Sequence, residues 1–97
     1  MKIVAVTACP TGIAHTYMAA EQLEKTARQL GHAIKVETQG AMGIENELTA
    51  ADIAAAEVAI IAADISIERP ERFSRLRRIE MPVQAVLRDP MAAFSGI

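Results

Sequence analysis

A chain of 97 residues, 52% of them apolar, can bury one core without disulfides or metal and is too short for two domains. Its net charge of -2 argues against nucleic-acid binding, and its single cysteine excludes an internal disulfide framework or a Cys-cluster metal site. No apolar stretch approaches the roughly 20 residues that cross a bilayer, and the N-terminus lacks a signal-peptide pattern, so a cytoplasmic chain with a reduced thiol is expected.

Residues 2–8 (KIVAVTA) are a β-branched run of the kind that fills a central buried strand. Pro10 and Gly12 break that pattern. A helix follows from Ala14 to Leu30, with Met18, Ala19, Leu23, Ala27 and Leu30 recurring every three or four residues and Gly31 as its C-cap. Residues 33–38 (AIKVET) predict a second strand, polar enough to lie at an edge, and residues 39–47 read as a loop punctuated by Gly40 and Gly43. Thr49, with Asp52 three residues on, predicts a capping box for a helix through Ala56. Residues 58–63 (VAIIAA) are another buried strand, 64–70 a loop, and Pro70 starts a short helix through Phe73. A weaker strand is expected over 76–81, then a helix from Pro82 to Arg88 and a short terminal helix from Pro90.

Alternating strands and helices with short connections imply parallel strands and right-handed crossovers. The expectation is one doubly wound, Rossmann-like α/β domain over residues 1–97, with a four-stranded parallel sheet of order 2-1-3-4 and helices on both faces. Such sheets take ligands beyond the carboxyl ends of their strands. Cys9, the only cysteine, falls there after the first strand.

The segment Cys9-Pro10-Thr11-Gly12-Ile13-Ala14-His15-Thr16 joins a buried strand to a helix start. Backbone N–H groups and the helix dipole there favour an anion, and Gly12 lets it approach the backbone. The same surroundings favour a thiolate, a nucleophile at neutral pH. Cys9 is thus read as the catalytic residue carrying a phosphoryl group on its sulfur, with residues 10–16 as a P-loop-like phosphate cradle. The spacing resembles the C-x5-R-[ST] loop of cysteine-dependent phosphatases, with His15 in the arginine's place and Thr16 following. That arginine holds two equatorial oxygens and favours attack by water; a histidine does neither in the same way, which argues for passing the group on over hydrolysing it.

The run from Val4 through Cys9, His15 and Thr16 to Glu21 resembles the fructose-type enzyme IIB domains of the bacterial phosphoenolpyruvate-dependent sugar phosphotransferase system (PTS). The resemblance continues through Val36-Glu37-Thr38-Gln39-Gly40, Gly43-Ile44-Glu45-Asn46-Glu47-Leu48-Thr49, Ala62-Ala63-Asp64-Ile65 and Glu71-Arg72-Phe73. It implies a kinase-class phosphotransferase that takes a phosphoryl group from a phosphohistidine of enzyme IIA onto Cys9. The group then passes to fructose or a fructose-like sugar held by the membrane component IIC. By the same resemblance the domain works at the inner face of the membrane without inserting, and needs neither cofactor nor metal. Thr11, His15 and Thr16 would be side-chain helpers. After Phe73 the chain departs from the family, with Arg75-Leu76-Arg77-Arg78 where a Gly-Lys-Pro-Val-like entry into the last strand is expected.

Other residues keep two readings. His15 is a phosphate ligand or a water-facing helix residue, and His32 a solvated turn residue. Thr38 and Gln39 line the site or make strand-end hydrogen bonds; Asp64 is an acid or a loop cap. Residues 1–68 carry four basic and nine acidic side chains and residues 69–97 six and three, so Arg69, Arg72, Arg75, Arg77 and Arg78 are a solvated face or a contact for an acidic partner. Met18 and Leu23 are read as core, and the loop around Met42 as a partner contact. A small cysteine phosphatase and a module sensing a partner's phosphorylation state are the competing functions.

Overall fold

Strand β1 (Lys2–Ala8) is buried from Ile3 to Ala8, as its unbroken apolar run requires, and it occupies the middle of the sheet. The computed structural model describes residues 1–10, 13–40 and 43–97. After β1 come α1 (Ile13–Gln29), β2 (Ala33–Gly40), β3 (Gly43–Glu45), α2 (Ala50–Ala55) and β4 (Val58–Ala63). A 3-10 turn (Pro70–Phe73), β5 (Arg77–Met81), α3 (Val83–Arg88) and a second 3-10 turn (Pro90–Phe94) complete the chain.

The sheet order is β3-β2-β1-β4-β5. Its β2, β1, β4 and β5 are parallel and follow the expected 2-1-3-4 order, but the sheet has five strands, not four, and is mixed, not fully parallel. The extra strand, β3, runs antiparallel to the end of β2, pairing Thr38 with Glu45 and Gly40 with Gly43. Its three residues are too few for a hydrophobic period, and Gly43, at φ +90°, looks like loop punctuation in the sequence. Beyond β3, Asn46 Nδ2 donates to the Val36 carbonyl (2.9 Å), satisfying an acceptor on the outer edge of β2.

Helices cover both faces. Ile3, Ala5, Cys9, Val36, Ile60 and Ala62 pack with Ala19, Leu23 and Ala27 of α1, Val83 and Val86 of α3, and Phe94. On the other face, Val4, Val6, Ala59 and Ile61 pack with Leu48, Ala56 and Phe73. Along α1 the buried positions are Thr16, Ala19, Ala20, Leu23, Thr26 and Ala27, a helical stripe that fixes the rotation of the helix. Met18 and Leu30 miss that stripe and stand 52% and 40% exposed, which corrects the assignment of Met18 to the core. Gly31, at φ +79°, closes α1 in a Schellman arrangement, with His32 N–H on the Ala27 carbonyl (2.8 Å) and Gly31 N–H on that of Arg28 (3.1 Å). His32 is not the solvated turn residue expected: its ring stacks on Phe94 at 6.2 Å, using an aromatic that lies far along the chain.

The expected capping box starts α2. Thr49 accepts from the Asp52 N–H (3.1 Å), and the Asp52 carboxylate accepts from the Thr49 N–H and from Lys35, each at 2.8 Å. The Lys35 ammonium, followed by the Thr49 groups, holds the Asp52 carboxyl down at about 2. This contribution is full above the ordinary aspartate range and lost as pH falls toward 2. Thr49→Ala is expected to cost about 1 kcal/mol in urea denaturation at neutral pH. An unchanged midpoint would show that the Asp52–Lys35 pair holds the helix start unaided.

Candidate functional site

Cys9 follows directly on β1 and is 7% exposed, with its side chain on the α1 and α3 face of the sheet. Two contacts bring distant segments to it. The Asp64 N–H donates to the Ala8 carbonyl (3.0 Å), extending the β1–β4 ladder one step beyond the Ala8–Ala63 pair. The Asp64 carboxylate in turn accepts from the Val83 N–H (3.1 Å), capping α3 where Pro82 has no side chain to do so. Asp64 thus caps the start of α3 and also lines the rim of the site.

From the other side, the Thr7 hydroxyl donates to the Thr16 carbonyl (3.1 Å), binding the end of β1 to the start of α1. Thr16 is buried, whereas Ala14 and His15 are exposed. Pro10 is exposed as well. Thr11, Gly12, the Ile13 side chain and Met42 lie outside the described residues.

These elements line an open cavity of about 490 Å³, to which Cys9, His15 and Asp64 contribute together with Val83, Gln84, Leu87 and Arg88 of α3. The wall from α3 was not anticipated. Positions 84, 87 and 88 do form one helical face, but which face meets Cys9 depends on where Asp64 anchors the helix. A thiol at a strand end, sharing a cavity with a histidine and an arginine, is an arrangement that could take a tetrahedral anion. Among the described residues no group of His, Cys, Asp and Glu suits a metal ion.

Thr38 lies opposite Thr7 in the sheet register and is buried, on the same face as Cys9. Gln39 points to the other face and does not wall the cavity: its amide nitrogen donates to Glu37 (2.7 Å) and its oxygen accepts from the Glu68 N–H (2.8 Å). Beside it, Glu37 is fully buried and receives both terminal nitrogens of Arg72 (2.9 and 3.0 Å) and the Leu48 N–H (2.9 Å). Burial pushes the Glu37 carboxyl up, but Arg72, Gln39 and the Leu48 N–H together hold it below the usual range. Arg72 is therefore held in an ion pair with buried Glu37 and is not part of a solvated face, and Arg69 is engaged with Glu47. A larger cavity of about 880 Å³ lies beside this cluster, between α2 and the 3-10 turn at Pro70–Phe73; no cysteine or histidine lines it among the described residues.

A family model described as the lactose/cellobiose-specific IIB subunit of the PTS matches residues 4–95. The fructose-like EIIB component 2 of Escherichia coli K12 is 49% identical over 96 residues, which cover 99% of this chain and 91% of that protein. The fructose-specific EIIABC component of Bacillus subtilis is 54% identical over 89 residues, 92% of this chain and 14% of that much longer relative. A crystal structure described as a predicted fructose-specific IIB from Escherichia coli matches with a TM-score of 0.93 and 45% identity, covering 98% of this chain and 84% of that one. Among the described residues no helix is long and apolar enough to cross a membrane.

Proposed function

The chain belongs to the IIB family of the PTS, with fructose-type EIIB components as relatives, and from that premise we propose that Cys9 carries the phosphoryl group between two partners. The Cys9 thiolate attacks the phosphorus of a phosphohistidine on IIA. The S–P bond forms as the P–N bond breaks, and the departing imidazole takes up a proton. A hydroxyl of the sugar held by IIC then attacks the same phosphorus. The S–P bond breaks, the thiolate returns, and the hydroxyl proton leaves to solvent or a base. Residues 10–16 cradle the phosphate, with Thr11, His15 and Thr16 assisting through side chains. Residues 1–97 act as one cytoplasmic domain that meets the membrane only through IIC, and the sugar is fructose or fructose-like.

The observation that carries this reading is the placement of Cys9 at the end of the central strand, opening on a cavity that His15 in the first turn of α1 also lines. Histidine in the position of a phosphatase arginine supports relay over hydrolysis. Tyr17, Met18 and Ile65 leave apolar surface at this end of the molecule, which suits transient docking.

Incubation with a phosphorylated fructose-type IIA is expected to add one phosphoryl group per chain by intact mass. Prior alkylation of the thiol blocks the gain, and IIC membranes with sugar reverse it. Absence of the gain would reject the relay. Steady turnover of an aryl phosphate by the domain by itself would point to a hydrolase instead.

A further inference from the structure

Arg88 is the one permanently charged cation among the described residues that wall the Cys9 cavity. It is exposed and enters no ion pair among the described residues, whereas Arg69 and Arg72 are held by Glu47 and Glu37. Asp64 fixes the first N–H of α3, so the start of that helix is pinned at the Cys9 edge of the sheet. Arg88 lies five residues on, about 7.5 Å along the axis. Side chains on a helix lean back toward its N-terminus, which here is toward Cys9. Arg88 therefore lines the cavity from α3, an element separate from the one that carries His15.

A phosphoryl group on Cys9 brings up to two negative charges next to the Asp64 carboxylate, and His15 is the only other basic side chain among the described cavity residues. Resting on the relay reading above, we propose that Arg88 binds the phosphoryl oxygens on Cys9, supplying from α3 the forked cation that the loop itself lacks. The part played by the loop arginine in cysteine phosphatases is thereby moved to another element. From there it stabilises the charge on the transferring group and leaves the line of attack along the sulfur open.

The test compares wild type, Arg88→Gln and Arg88→Lys, each charged by phosphorylated IIA. Measured are the phosphorylation rate, the affinity for unphosphorylated IIA, and the pH midpoint of the phosphocysteine phosphorus resonance. Arg88→Gln is expected to be phosphorylated roughly 10- to 100-fold more slowly. Its IIA affinity should be unchanged and its phosphorus midpoint moved to higher pH, with Arg88→Lys intermediate in rate and midpoint. The exposed position keeps all three folded, which thermal melts verify. A wild-type rate in Arg88→Gln overturns the inference. So does a slower rate matched by an equal loss of IIA affinity at an unmoved midpoint, which makes Arg88 a docking contact. If wild type itself gains no phosphoryl group, the relay reading fails and takes this inference with it.

Discussion

Arg72→Met is expected to destabilise the domain by about 3–5 kcal/mol at neutral pH, because it leaves the Glu37 carboxylate buried without its counter-ion. Glu37 has no exposed surface and sits on β2, where it cannot turn to water. Arg72 also donates to the Arg69 and Glu68 carbonyls (2.9 and 3.1 Å) and lies 4.9 Å over the Phe73 ring, so the loop leading to the 3-10 turn is held by the same side chain. The pH dependence has a definite sign. In wild type the Glu37 carboxyl is held low, so its contribution is complete above the ordinary glutamate range and lost as pH falls through the lowered value. In the variant burial acts against fewer opposing contacts, and the carboxyl can take a proton at higher pH. The difference between the two proteins should therefore shrink on acidification. Urea denaturation at neutral and acidic pH measures it, and Glu37→Gln in the Arg72→Met background should recover a large part of the loss. A change within the roughly 0.5 kcal/mol typical of surface substitutions would mean that Gln39 and the Leu48 N–H suffice to hold Glu37.

Cys9→Ser is expected to abolish phosphoryl acceptance while keeping the fold. The two side chains have nearly the same shape, and Cys9 packs among Ala19, Ala62 and Val83 in the larger core. A hydroxyl placed there costs about 1–2 kcal/mol of stability. Its oxygen, unlike sulfur, has almost no anionic form at neutral pH, and the bases among the described cavity residues are only His15 and Asp64, the latter already accepting from the Val83 N–H. Intact mass after exposure to phosphorylated IIA should show no gain, and a thermal melt should remain cooperative. A gain that persists in Cys9→Ser would move the acceptor to another side chain, with His15 the first to map.

The end of β1 and the start of α1 were legible because each is announced locally. The β-branched run has one reading, Pro10 and Gly12 stop it, and the stripe from Ala19 to Ala27 has a helical period. The resemblance to IIB domains added the donor and acceptor, which no periodicity can name. What escaped was non-local. Glu37 and Arg72 are 35 residues apart, and Arg72 sits in an arginine-rich stretch that looks solvated until its partner is seen on β2. The wall of Gln84 and Arg88 escaped because a six-residue helix carries too little pattern to show which side it packs. Strand β3 was lost to its shortness, and Met18 to a position one residue from a stripe that the sequence does not phase uniquely.

The two chain ends lie together at the amino ends of the strands. The Met1 carbonyl accepts from Ala33 N–H at the start of β2, Phe94 stacks on His32, and Gly96 lies against Arg77 at the start of β5. Cys9 is at the opposite end of the sheet. A flexible tether added to either terminus would emerge away from the Cys9 cavity and would not cover its mouth. In the relay proposed above, tether length would then set the local concentration of Cys9 at each encounter, and linker design would tune transfer between joined modules without altering a residue of the site.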